Sequence, residues 1–361
     1  MSDRQDAASG PIGKLGQNNF DLVRLFAATQ VALLHMISHL QMDGAIAVPL
    51  AWFLSYFPGV PIFFFVSGFL ISRSYLRSSN WRSYAMNRFL RLYPALAACF
   101  VVSVLLVAAS GYFSETPPPL NDFAVWIAAQ LTVLQVYNPD FLRGFGVGVL
   151  NGSLWTIPVE MQFYIAFPIL IALLGPGRRA LALAAVGFIA IYIGFGVLAR
   201  NGGLVAKLVS VTFLPWFGLF LLGVLASLSW ERLRPFVEGT FIWWAAAYAA
   251  AHALSATLLP SWGQLGNMMS LPYVFVLCGL VLSAAFTRRG LADRLLHKND
   301  VSYGIYIYHM PFVNLALYWG LAGSAGGVGL VLAGTFGFAA LSWFVVERPA
   351  LRMKPTVLIR R

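Results

Sequence analysis

Charge is scarce in this chain. Its 13 acidic and 24 basic residues amount to 10% of 361 positions, where a soluble globular domain carries about a quarter. With 59% apolar residues and a mean hydropathy of +0.76, that shortage excludes an ordinary soluble domain. Cysteine is almost missing too. Cys99 and Cys278 sit in separate apolar segments and read as small core hydrophobes rather than a disulfide. There is no Walker-type loop, no GxGxxG following a strand, no CxxC pair and no HExxH. Those absences remove the usual phosphate-loop, dinucleotide and metal-site signatures, so no metal or permanently bound cofactor is expected. Residues 1–17 lack an apolar core with a cleavage site and are expected to be a short disordered cytoplasmic tail, not a signal peptide.

What the sequence has in abundance is apolar runs of about 20 residues, the length that crosses a bilayer. They fall near 20–40, 59–77, 92–111, 154–174, 180–199, 208–228, 240–259, 268–286, 302–320 and 326–346. The fold class expected is therefore all-α: a polytopic integral membrane protein of about ten transmembrane helices, both termini cytoplasmic. A single membrane domain spans 18–350 and a basic cytoplasmic tail 351–361. With that orientation all but three of the 24 basic residues (Arg143, Arg200 and Lys207) lie inside, as the positive-inside rule requires. If Phe123 to Tyr137 also crossed, the basic residues would divide 11 to 13 and the bias would vanish. That segment is accordingly expected to be re-entrant or interfacial on the outer face. The loop of about 112–153 that holds it is the only long one, and such loops are often functional.

A net charge of +11 invites comparison with nucleic-acid binders. Because the basic residues line one membrane face, topology and attraction to anionic lipid account for them better, and no nucleic-acid partner is expected. Arg73, Arg77, Arg82, Arg88 and Arg91 crowd a single inner loop. Guanidinium groups gathered beside a membrane cavity suit a polyphosphate ligand from the cytoplasm.

Few ionisable side chains fall inside the apolar runs, and an intramembrane ionisable group is a functional candidate by default. Arg24 and His35 are eleven residues apart on the first helix, within about 20° of one face and separated by about 16 Å of rise. His35 should lie in the outer half, and Glu160 about six residues below the outer end of the fourth helix, so the two could meet. His309 should lie nearer the inner half. His39 and His252, near outer ends, read as structural. A carboxylate that holds one imidazole N–H leaves the other nitrogen free to take a proton from a hydroxyl, which makes His35 the candidate general base and Glu160 the group orienting it.

Several ordered segments resemble the membrane acyltransferase-3 family, which moves acetyl or related acyl groups onto sugars, mostly of bacterial surface polysaccharides. They are Arg24 with His35, Phe63-Phe64-Phe65-Val66-Ser67-Gly68-Phe69-Leu70, and Arg88-Phe89-Leu90-Arg91-Leu92-Tyr93-Pro94. The remainder are Ser153 to Tyr164 (SLWTIPVEMQFY), Ser302 to Pro311 (SYGIYIYHMP) and Glu347-Arg348-Pro349. Pro158 and Met310 depart from the usual pattern, and Pro158 is tolerable in a first helical turn. The resemblance implies a multi-pass enzyme of the bacterial inner membrane, with acyl-CoA (acetyl-CoA first) as donor and a glycan or lipid-linked saccharide as acceptor. It assigns His35, Glu160 and His309 to catalysis, and Arg24, Arg88, Arg91 and Tyr93 to acyl-CoA. Ser67, Tyr164 and Trp155 go to the acceptor or the oxyanion. The alternative is a transporter or flippase using His35, Glu160 and His309 as a proton relay; the absence of an internal repeat weighs against it.

Overall fold

A backbone inside hydrocarbon has to satisfy its own amides, and this chain does so with helices. A computed structural model describes residues 15–78, 80–258 and 267–353, and among them there is no β-strand. The expected tail segments 1–14 and 354–361 lie outside the described residues, while Leu15 already packs against the core. In chain order the helices are α1 (Phe20–His39), α2 (Ala47–Ser55), α3 (Gly59–Arg77), α4 (Trp81–Ala109), α5 (Tyr112–Glu115) and α6 (Leu120–Gln130). Next come α7 (Thr156–Leu174), α8 (Arg178–Asn201), α9 (Leu204–Ser210), α10 (Phe217–Leu228), α11 (Trp230–Val237) and α12 (Phe241–Leu258). The last five are α13 (Leu271–Phe286), α14 (Leu291–Leu296), α15 (Ser302–Tyr318), α16 (Ala325–Ser342) and, after one π turn, α17 (Arg348–Arg352).

Six stretches are long and apolar enough to cross a bilayer: Phe20–His39, Ala47–Arg77, Trp81–Ala109, Gly152–Leu174, Arg178–Asn201 and Ala325–Arg352. The chain is a multi-pass membrane protein. The four other expected runs hold shorter helices, and the run at 208–228 is broken. There α9 ends at Ser210 and α10, only 12 residues long, starts at Phe217. Pro215 lies within the break and has no N–H to continue a helix. Gln162 of α7 bridges the gap, accepting from the Phe213 amide at 2.8 Å and donating to the Val211 carbonyl at 3.3 Å.

The inner arginines also differ from expectation. They do not share a loop: α4 has 29 residues, about 44 Å, and carries Arg82, Arg88 and Arg91 itself. Asn80 caps it by accepting from the Ser83 amide at 2.8 Å, so the helix begins well before the apolar run. Arg73 and Arg77 end α3. On the opposite side α6, at 11 residues, is too short to cross, in keeping with the re-entrant expectation. Its following turn reaches inward far enough for the Tyr93 hydroxyl to donate to the Thr132 carbonyl at 3.4 Å and to Met161 Sδ at 3.6 Å.

Helix α3 packs backbone to backbone against α10, and glycine is what permits it. A Cβ on Gly68 would collide with the Phe220 carbonyl and one on Gly223 with the Phe65 carbonyl. Small residues let membrane helices gain packing that lipid cannot supply. Gly223→Ala should therefore lose about 1–3 kcal/mol of stability, whereas Gly337→Ala, whose Cβ would meet nothing within 4 Å, should melt at or slightly above the wild-type temperature. Thermal unfolding of the two variants in detergent checks the contrast; equal melting temperatures would remove the account of this crossing.

Candidate active site

Helices α1 and α15 run parallel and touch at two polar rungs. At the lower rung Arg24 Nη1 and Arg91 Nη2 both donate to Asp300 Oδ2 at 2.5 Å, tying α1 and α4 to the turn before α15. Asp300 Oδ1 accepts from the Ser302 amide at 3.2 Å and from the Ser302 hydroxyl, so the same carboxylate caps α15. Burial alone would raise the Asp300 pKa. The fields of Arg24 and Arg91 outweigh burial and hold the carboxyl well below its ordinary value, so Asp300 stays ionised.

At the upper rung His35 Nδ1 lies 2.9 Å from His309 Nε2. His309 is fully buried, and its Nδ1 is 3.3 Å from the Ile305 carbonyl. A carbonyl only accepts, so His309 Nδ1 carries the proton and, in the neutral ring, Nε2 carries the lone pair. His35 Nδ1 is then the donor, and His35 Nε2 keeps a lone pair for something else. These tautomers are assigned from the hydrogen-bond network. His39 lies 5.8 Å from the His35 ring without joining the chain of bonds. His252 stacks on Tyr273 at 4.3 Å, far along the chain from this pair.

The partner expected for His35 is not the partner found. Glu160 Oε1 accepts instead from the Tyr164 hydroxyl at 2.7 Å, one turn along α7, and from Ser67 Oγ at 3.1 Å. Ser67 and Tyr164, expected to face an oxyanion, are thus spent on the carboxylate. Arg88 stands apart from Arg24 and Arg91, with Nη2 3.3 Å from Ser74 Oγ and its guanidinium 5.6 Å from the centre of the Tyr164 ring. Tyr93 stacks on Phe89 and points toward α6 and α7, away from the arginine pair. Trp155 packs against Trp216 and Phe64 as part of an aromatic wall.

A narrow cavity of about 50 Å³ joins several of these groups. Arg24, Arg91, Ser67, Glu160, Thr156 and Tyr306 are among the residues that line it. Its volume is enough for a few waters. Tyr306, which lines it, has its ring 6.1 Å from that of His309, while neither His35 nor His309 lines the cavity itself.

The outer loop is fastened to α15 around the imidazole pair. Pro311 has no N–H, which frees the Ile307 carbonyl one turn back. Asn151 Nδ2 takes it at 2.7 Å and Cys99 Sγ at 3.2 Å. Asn314, fully buried, accepts from the Val147 amide at 2.7 Å and donates to the Leu150 carbonyl at 2.9 Å. Gly146 takes a φ of +59° and lies so close that a Cβ would strike the Asn314 side chain. Asp300, Asn314 and Tyr306 are the site residues that sequence reasoning missed. Of these only Asp300 left a signal, as an acidic residue just ahead of a helix start. Removing it strands two part-buried cations, at a cost below the roughly 3–5 kcal/mol of a fully buried pair. Asp300→Ala should lower the melting temperature sharply, and adding Arg24→Leu should restore part of the loss; a double variant no better than the single would argue against the ion triad.

Residues 17–347 match the acyltransferase domain family known as acyltransferase-3. Nodulation protein 10 of Rhizobium leguminosarum bv. viciae is 35% identical, covering 96% of this chain and 96% of its own. An O-acetyl transferase of Shigella phage Sf6 is 27% identical, covering 92% and 95%. The peptidoglycan O-acetyltransferase OatA of Listeria monocytogenes is 29% identical over 129 residues, 33% of this chain and 20% of its own. No solved structure matches the chain significantly. With nearly its whole length inside that match, this multi-pass membrane protein belongs to the acyltransferase-3 family and is an acyltransferase.

Proposed function

We propose that the chain is an O-acyltransferase that moves an acyl group, acetyl first, from acyl-CoA at the cytoplasmic side to a hydroxyl of a cell-surface glycan or its lipid-linked precursor. The bacterial sources of two of the relatives, and the name of the peptidoglycan O-acetyltransferase among them, support a bacterial inner membrane and a glycan acceptor. The positive-inside count supports ten crossings with both termini cytoplasmic.

The observation that carries this reading is the imidazole pair. His35 Nε2, left with a lone pair, takes the proton of the acceptor hydroxyl as that oxygen attacks the thioester carbonyl. The new C–O bond forms, the C–S bond breaks, and the proton passes to the departing sulfur. His309 is a positioning residue: it fixes the His35 tautomer and steadies the imidazolium that forms. Both of its own nitrogens are engaged, which leaves it no lone pair to carry an acyl group. At the lower rung two guanidinium groups share one carboxylate, a net positive site for the phosphates of CoA. The cavity at the lower rung must widen and lengthen toward His35 to admit the pantetheine arm. Glu160, held by Ser67 and Tyr164, orients a polar group of the bound substrate there. Negative charge developing on the carbonyl oxygen is met by the amino-terminal turn of α3, where Val60 lines the cavity.

The test is transfer of label from radioactive acetyl-CoA to envelope glycan by the purified protein. His35→Ala should lower kcat by about 10²- to 10⁴-fold. His309→Ala should lower kcat by less, leave KM for acetyl-CoA nearly unchanged and shift the pH profile, because the His35 tautomer is released. A correctly inserted His35→Ala protein that transfers label at the wild-type rate removes the base assignment.

A further inference from the structure

A recess of about 990 Å³ lies behind α1, on the side away from the ion triad. Leu22, Val23 and Phe26 of α1 form one wall and Leu277 to Ala284 of α13 the other, with the first turn of α12 as a third. At its inner end are Thr287 and Arg288; at its far end Phe53 and Phe57 close it. From Leu277 to Thr287 the wall runs ten residues, about 15 Å, which is half of the roughly 30 Å hydrocarbon core. The recess is therefore as deep as one leaflet.

Its mouth carries a single sign of charge. Arg288 is exposed and makes no hydrogen bond or ion pair through its side chain among the described residues, while its neighbour Arg289 is taken by Glu238 at 2.7 Å. The turn that bears Arg288 is held rigidly, because Asn19 Nδ2 donates to the Thr287 carbonyl at 2.9 Å and Asn19 Oδ1 accepts from the Ala292 amide at 3.0 Å. A fixed cation at the interface above an apolar slot one leaflet deep matches one molecular shape. We propose that this groove binds a single anionic glycerophospholipid from the leaflet on the arginine-rich side, with one acyl chain between α1 and α13 and the phosphate on Arg288. A zwitterionic headgroup brings its own cation and gains less from Arg288. The lipid braces the back of the helix whose opposite face carries Arg24.

Native mass spectrometry of the full-length protein, released from detergent after adding dioleoyl phosphatidylglycerol or dioleoyl phosphatidylcholine, tests this. The wild-type protein should retain one phosphatidylglycerol about fivefold better than phosphatidylcholine, the factor one basic side chain contributes beside an anionic headgroup. Arg288→Gln should retain the two lipids equally, and Ala284→Trp, which fills the groove, should retain neither. The Arg288 side chain is exposed and unpaired, so its replacement leaves the packing intact and that arm decides the matter. No preference in the wild-type protein, or an unchanged preference in Arg288→Gln, overturns the proposal. The readout needs no catalytic activity and stands apart from the acyl-transfer reading.

Discussion

The rest of the structure depends on the register between α1 and α15. Two parallel helices in hydrocarbon have little reason to prefer one longitudinal alignment over another from apolar packing alone, since lipid packs against them nearly as well. Polar rungs supply the reason. Sliding α15 by one turn would part Asp300 from Arg24 and His309 from His35 together, stranding charged and polar groups where water cannot reach them. The lower rung fixes the height of α15 and the upper rung uses that height. The His35 imidazole is thus held at a set depth by a salt bridge about three turns away, and a narrow cavity opens beside that salt bridge.

Proline extends the same logic to the loops. Prolines lie inside α4, α7 and α15 (Pro94, Pro168 and Pro311), and at two of them the freed carbonyl is taken by a side chain from another element. Pro311 releases the Ile307 carbonyl to Asn151; Pro168 releases the Tyr164 carbonyl, which the Tyr84 hydroxyl reaches at 3.2 Å. The first contact docks the outer loop onto the helix of His309. The second joins α4, the helix of Arg88 and Arg91, to α7, the helix of Glu160. A deficit in one helix's hydrogen bonds becomes a positional constraint between two.

Much of this was legible from residues alone. The spacing of Arg24 and His35 put them on one face, and the six stretches long and apolar enough to cross a bilayer fall on apolar runs read from the sequence. Depth was less legible. Counting His309 from the first residue of α15 placed it in the inner half, on the assumption that helices start in one plane. Asp300 instead meets Arg24, already within α1, so α15 begins inside and its ninth residue past Asp300 reaches His35. Azimuth was not legible at all: nothing in the spacing of Glu160 says whether it faces His35 or Ser67. The one contact that spacing does fix, Glu160 with Tyr164 four residues on, is present.

The arginines show why like charges mislead when counted by type. Arg88, Arg91 and their neighbours read as a loop cluster waiting for phosphate, because the basic residues were close in sequence and the counter-charge was 209 residues further on. In three dimensions they are sorted by the face of α4 and by what arrives beside it. Arg91 is buried with Asp300 and Arg24, while Arg88 rests on an aromatic ring. An anion bound at the lower rung therefore does not meet free cations. It meets a pair already drawn together by a carboxylate that also caps the helix of His309, so occupancy of the rung and the alignment of the imidazole pair share a single side chain.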